Sequence, residues 1–275
     1  MEFRPNSHQH EAGYFTADSF RMQERYTTNN NARIPICFCV DVSSSMERCS
    51  SARSSSRIEL LSSVMRRLLT ALKSDPILGE RACVCIVTYN KYAITAQDFL
   101  DVADVNIARA TSFSCLGQTR FSEGLNQAMR EIDAYQQSIL DSDNTTATPI
   151  LIFMTDGEPV GEFGDHLNNA IRSIQKRTAG KQLHMLPLGI SKEAQMNLLV
   201  DMVSCMEDGR AYRMIEPEDF ESVFSKIREL IDDNMDPTEQ GHVVNAMASE
   251  NEATQDTGSG QDMFLMMVEE FARSF

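Results

Sequence analysis

The chain has 275 residues, 42% of them hydrophobic, and a formal net charge of −15 at pH 7, enough for one sizeable α/β domain with polar extensions. That acidic balance excludes a surface built for nucleic acid or an anionic membrane, because phosphate-rich partners would be repelled at long range. The opening Met1–His8 has no apolar signal-peptide core, and no apolar run approaches the ~20 residues that cross a bilayer, so a cytoplasmic location is expected.

Residues 1–32 are polar and rich in Asn, Thr, His and Gln, which predicts a flexible arm or a strand-capping extension. His8 and His10 lie within it, where a flexible segment offers no geometry for strong metal binding. From Arg33 to Asp233, short apolar runs alternate with amphipathic stretches. The fold class this predicts is α/β, a doubly wound, mostly parallel sheet with helices on both faces.

The strands fall at Ile36–Val42, Ala82–Tyr89, Pro149–Thr155, Gln182–Ile190 and Ala211–Ile215, with a short edge strand near Ala93–Ala96. Four of the seven cysteines (Cys37, Cys39, Cys83 and Cys85) sit inside these strands, where the thiol acts as a small apolar side chain. A secreted disulfide framework is therefore not expected. His184, within an apolar strand, reads as a hydrogen-bonded core residue rather than a ligand.

Helical spacing links Ile58, Leu61, Val64, Met65, Leu68, Leu69 and Leu72, and again Phe121, Leu125, Met129, Ile132 and Tyr135. Later helices are expected at Asp165–Thr178, Lys192–Val203 and Pro217–Ile231, the last opening on a proline that its first turn tolerates. Residues 234–262 are rich in polar residues, which predicts a linker. It leads to 263–275, where Phe264, Met267, Val268, Phe271 and Phe275 share one helical face behind a capping Asp262. That segment either packs on its own domain or serves as a tethered docking helix.

Chemistry concentrates in three segments that a parallel sheet brings to the carboxyl ends of its strands, near the point where strand order reverses. Asp41, Ser43 and Ser45 follow the first strand. Ser114-Cys115-Leu116-Gly117-Gln118-Thr119 precedes the helix near Phe121, and Thr155-Asp156-Gly157-Glu158-Pro159 ends the strand Ile150–Met154. Carboxylates and hydroxyls at these places form a set of hard oxygen donors. Taken singly, Asp41 with Ser43 also suits a helix cap, and Thr155-Asp156-Gly157 a turn.

Together, Asp-x-Ser-x-Ser, Gly-x-Thr and Thr-Asp-Gly in this order resemble the metal-ion-dependent adhesion site of von Willebrand factor A domains, over residues 33–233. Within that family, Ser74-Asp75-Pro76, Thr155–Pro159 and Tyr212-Arg213-Met214 leading to Phe220 resemble the bacterial tellurium-resistance-associated group. Gln118 departs from the pattern, standing where a second glycine is common. The resemblance implies that Ser43, Ser45 and Thr119 offer hydroxyls to a metal, while Asp41 and Asp156 offer carboxylates directly or through water. Mg²⁺ suits such donors, with Mn²⁺ or Ca²⁺ as substitutes.

It further implies a non-enzymatic module that binds an acidic residue of a protein partner, in a stress-response or signalling system with kinase and phosphatase partners. Neutral hydroxyls leave the cation's charge uncancelled, which favours a partner carboxylate in the open position. Self-association is a further candidate, with Glu269 or Glu270 of one copy's tail reaching the metal of another. The competing expectation is a Mg²⁺-dependent phosphohydrolase, but an aspartyl nucleophile at Asp41 would want an acid two residues later, and Ser43 stands there. No Walker A loop or Gly-x-Gly-x-x-Gly turn follows a strand.

Two further features invite attention. Ser50, Ser51, Ser54, Ser55 and Ser56 read as a solvated loop, in which phosphorylation would set negative charge beside the metal. Cys49 and Cys115 approach the same rim and read as ordinary free thiols rather than a redox pair.

Overall fold

The computed structural model describes residues 32–49, 55–141, 146–206, 209–214 and 225–230. The expected arm up to residue 31, the linker 234–262 and the tail 263–275 lie outside these, as do Ser50, Ser51 and Ser54 and residues 217–224 of the last expected helix. Residues 225–230 of that helix are helical.

Strands β1 (Ile34–Asp41), β2 (Ala82–Tyr89), β3 (Ala93–Asp101), β4 (Ile150–Thr155), β5 (His184–Gly189) and β6 (Tyr212–Arg213) form one sheet in the order β3-β2-β1-β4-β5-β6. All neighbours run parallel except β2 and β3, which are antiparallel. Every residue of β1 and β4 is buried, as expected for central parallel strands covered on both faces. Strand order reverses between β1 and β4, and Asp41 and Asp156 stand at the carboxyl ends of those two strands.

The helices are α1 (Arg57–Ser74), α2 (Leu78–Arg81), α3 (Ile107–Ala110), α4 (Phe121–Leu140), α5 (His166–Ala179) and α6 (Met196–Met202). A reciprocal capping box starts α1: the Glu59 amide donates to Ser56 Oγ at 3.3 Å, and the Ser56 amide to Glu59 Oε2 at 2.8 Å. Its buried stripe runs Arg57, Leu61, Val64, Met65, Leu68, Leu69, Leu72. On α4 the stripe includes Phe121, Leu125, Met129, Ile132 and Tyr135, as the helical spacing predicts.

One core cluster joins α4, α5 and α6 to alternate residues of the strands, among them Cys37, Cys39, Cys83, Cys85, Leu151 and Phe153. Near the carboxyl edge of the sheet, Tyr89 stacks on Phe153 at 5.2 Å between ring centroids, meets Phe121 edge-on, and donates its hydroxyl proton to the Met154 carbonyl at 3.1 Å. Gly124 is what lets α4 come this close. A Cβ there would sit 2.6 Å from the Tyr89 ring and 3.0 Å from Cys39 Sγ.

Beyond shifts of one or two residues at strand ends, the structure departs from the sequence-based expectation at three places. β3 runs on to Asp101 instead of stopping near Ala96, because alternate residues turn toward the sheet along this edge and Phe99 is buried at its far end. α6 begins at Met196 rather than Lys192, since Ser191 Oγ accepts from the Glu193 and Ala194 amides and holds that stretch as a turn. His184 opens β5 half-buried rather than lying in the core. No helix among the described residues is long and apolar enough to cross a membrane.

Candidate metal centre

Asp41 ends β1 with no exposed surface. Its Oδ1 accepts from the Ser43 amide at 2.8 Å and its Oδ2 from the Thr155 hydroxyl at 2.7 Å, so each oxygen is held by the loop of a different strand. Burial pushes the Asp41 carboxyl up to about 6; the hydrogen bonds from Ser43 and Thr155 oppose this and the nearby Asp156 charge adds to it.

Beyond Asp41, a 3-10 turn over Ser44–Glu47 turns two hydroxyls inward. Ser43 Oγ and Ser45 Oγ lie 2.9 Å apart, and Ser45 Oγ donates to Asp156 Oδ1 at 2.7 Å. Asp156 is fully buried like Asp41, and its carbonyl accepts a hydrogen bond from Ser191 Oγ. Oxygen ligands on adjacent corners of an octahedron with ~2.0–2.1 Å metal–oxygen distances stand about 2.9 Å apart. The spacings from Ser43 to Ser45 and from Ser45 to Asp156 are those of ordinary hydroxyl hydrogen bonds, and they lie close enough to that edge for the same oxygens to accept a small hard cation in place of the shared protons.

The third segment reaches the same place through backbone bonds. The Leu116 amide donates to the Val42 carbonyl at 2.8 Å and the Ser44 amide to the Gly117 carbonyl at 3.1 Å, while Gly117 adopts the left-handed φ of +81° that favours glycine. Thr119 is buried, and its carbonyl accepts from the Val160 amide at 2.6 Å; its hydroxyl has no partner among the described residues. Gln118 is accommodated by Gly161, where a Cβ would sit 2.8 Å from Gln118 Oε1. With Gln118 so placed, Thr119 lines the same cleft as Ser45 and Asp156.

A cleft of about 350 Å³ opens over these groups, lined in part by Ser45, Arg57, Thr119 and Asp156. Of the five residues expected from the sequence, Ser45, Thr119 and Asp156 line this cleft, while the buried Asp41 and Ser43 join it through the Ser43 amide on Asp41 and the Ser43–Ser45 hydroxyl contact. Among the described residues no three His, Cys, Asp or Glu side chains cluster as a metal site, which follows from a donor set of two carboxylates and several hydroxyls.

Sequence reading missed a cation that is already present. Arg57 Nη1 donates to Asp156 Oδ2 at 2.6 Å, and its Nη2 donates to Glu193 Oε2 at 2.7 Å. The signal was in the helix: Arg57 is four residues before Leu61 on the buried stripe of α1, an unusual place for a charge. Cys115 is half-buried, and its thiol is pushed up to about 11 by burial, with Glu47, Asp41 and Asp156 adding to the rise. At neutral pH it is therefore a protonated thiol of low reactivity.

Residues 36–158 match the family model for the von Willebrand factor type A domain. Among solved structures, the chain resembles the PilB minor pilin from Streptococcus sanguinis, with a TM-score of 0.56 and 15% identity over 73% of this chain and 61% of that one. It resembles a von Willebrand factor type A protein from Catenulispora acidiphila, with a TM-score of 0.52 and 17% identity over 72% of this chain and 42% of that one. Proximal thread matrix protein 1 from the mussel byssus, with a zinc-occupied adhesion-site motif, is similar at a TM-score of 0.53 and 18% identity over 72% of this chain and 46% of that one. At such identities the likeness carries the fold, and this chain spans about three fifths or less of those structures. No curated protein matches the sequence. The fold is the Rossmann-like α/β fold of von Willebrand factor A domains, a family of protein-interaction modules of which some carry the adhesion site.

Proposed function

We propose that this chain is a non-enzymatic interaction module that captures a carboxylate of a protein partner through a divalent cation at the junction of β1 and β4. The observation that carries this reading is the run of contacts from Ser43 Oγ to Ser45 Oγ at 2.9 Å and on to Asp156 Oδ1 at 2.7 Å, beside a second buried carboxylate. In this reading Ser43, Ser45 and Thr119 supply hydroxyls, and Asp41 and Asp156 supply carboxylates directly or through water. Mg²⁺, or Mn²⁺ or Ca²⁺ in its place, would provide a Lewis-acidic centre that a partner carboxylate completes.

The rim favours a protein as the occupant. Leu116, Val160 and Phe163 are 73%, 48% and 53% exposed on the loops that hold Thr119. The Arg120 guanidinium lies 4.0 Å from the centroid of the Phe163 ring and steadies that side chain. Apolar side chains around a charged floor suit a hot spot in which a desolvated anchor is ringed by hydrophobic contacts. The motifs Ser74-Asp75-Pro76 and Tyr212-Arg213-Met214 support a role like that of the bacterial tellurium-resistance-associated group, in stress response beside a kinase and a phosphatase.

The phosphohydrolase reading gains nothing from the geometry, since position 43 carries a hydroxyl bonded to Ser45 where a second acid would be needed. Partner capture with Mg²⁺, with chelator, and by Ser45→Ala tests the proposal. Capture is expected only from the unaltered protein with Mg²⁺. Equal capture in chelator would defeat it.

A further inference from the structure

Arg57 deserves a role that the adhesion-site pattern does not assign. The first residue of α1, it places a guanidinium against Asp156, the carboxylate that also accepts from Ser45. The Arg57 side chain is 7% exposed and that of Asp156 is 0% exposed, so their 2.6 Å contact is sheltered from solvent. The other branch of the guanidinium reaches outward to Glu193, whose side chain is 65% exposed.

Two features make this pair a poor permanent lock. Arg57 Nε is buried with no hydrogen-bond partner, so the guanidinium is only partly satisfied, and a half-satisfied buried charge is a costly arrangement. Glu193 offers Arg57 a second partner at the protein surface, on the turn that Ser191 holds. A divalent ion seated among Ser43, Ser45 and Asp156 would also face a like charge held by the same carboxylate.

We propose that Arg57 is an internal counter-cation that competes with the divalent ion for Asp156, so that it sets the metal affinity of the site. This rests on the metal-dependent reading above. Without metal, Arg57 neutralises Asp156 and keeps the buried carboxylate tolerable. With metal, the guanidinium shifts its hydrogen bonding toward Glu193. Arg57 acts through Asp156 and is a positioning residue, not a ligand.

Mn²⁺ and Mg²⁺ titrations by calorimetry on the full chain, with no partner present, test this. Arg57→Met is expected to bind Mn²⁺ at least tenfold more tightly than the unaltered protein while being less stable without metal, and to gain the larger rise in melting temperature on adding Mn²⁺. Equal or weaker binding by a folded Arg57→Met would overturn the proposal and leave the metal reading intact. Absence of binding in both proteins would overturn both. Glu193→Gln, a change at an exposed side chain, is expected to weaken Mn²⁺ binding several-fold, because a neutral amide draws the Arg57 guanidinium away from Asp156 less strongly than a carboxylate does. That effect should vanish in the Arg57→Met background; an equal effect in both backgrounds would also overturn the proposal.

Discussion

Among the described residues, two clefts of similar size lie at opposite ends of the sheet. At the amino ends of β4 and β5, about 290 Å³ is lined by Gln136, Thr146, Ala147, Thr148, Pro149, Arg177 and Gln182. At the carboxyl ends of β1 and β4, about 350 Å³ lies over Ser45, Thr119 and Asp156. Each contains an arginine paired with an aspartate. Arg177 and Asp133 meet through two hydrogen bonds of 2.6 and 2.7 Å with side chains 27% and 50% exposed, whereas Arg57 and Asp156 meet at 7% and 0%. Volume and charge are therefore shared by the two ends. What differs is that one end gathers buried carboxylates and hydroxyls from three loops around one cleft, and a parallel sheet creates such a place where its strand order reverses.

The largest expected difference between the ends comes from removing one acid from each. Asp156→Ala removes the buried partner of Arg57 and leaves its guanidinium only the exposed Glu193, and a loss of up to roughly 3–5 kcal/mol is expected. Asp133→Ala breaks a solvent-screened pair and should cost about 0–1 kcal/mol. Urea denaturation of the two variants reads the contrast directly, and equal losses would erase the distinction between the ends.

A smaller effect follows from pH. The Asp41 carboxyl is raised to about 6 from an ordinary 3.8, so the folded state holds that proton more tightly than the unfolded chain. The stability it contributes is full below about 4 and is lost as pH rises through about 6. That rise corresponds to about 3 kcal/mol at most. Asp41→Asn should flatten this window in melting experiments without metal, and Mg²⁺ should offset the loss at pH 7 because it favours the ionised carboxylate. A window of unchanged depth in Asp41→Asn would place the proton elsewhere.

How much of this was legible in the chain follows from how local each signal is. Asp41, Ser43 and Ser45 are adjacent in sequence and follow an apolar run, so their place at a strand end could be read. Thr119 and Asp156 could be added because the sheet topology sends their loops to the same edge. The bounds of β2, the stripe on α4 and that on α1 from Leu61 onward were legible because burial on a regular element repeats with its period, whereas at the start of α1 Arg57 is buried and the expected Ile58 only half-buried.

Arg57 was missed because its partner Asp156 is 99 positions away, and nothing in helical spacing says which buried charge meets which acid. Glu193 was hidden for a related reason. The stretch expected to begin a helix is a turn held by the Ser191 hydroxyl, and that turn carries Glu193 to Arg57. The end of β3 was misplaced because an edge strand with alternating exposure, ending in a buried Phe99, lacks the continuous apolar run that marks the central strands.

The most direct measurement of the central claim is Mg²⁺ and Mn²⁺ binding by calorimetry to the unaltered chain, to Ser45→Ala and to Thr148→Ala in the other cleft. One ion per chain is expected, with at least tenfold weaker binding by a Ser45→Ala protein that still folds cooperatively, and no change for Thr148→Ala. Equal binding by all three proteins would contradict that claim.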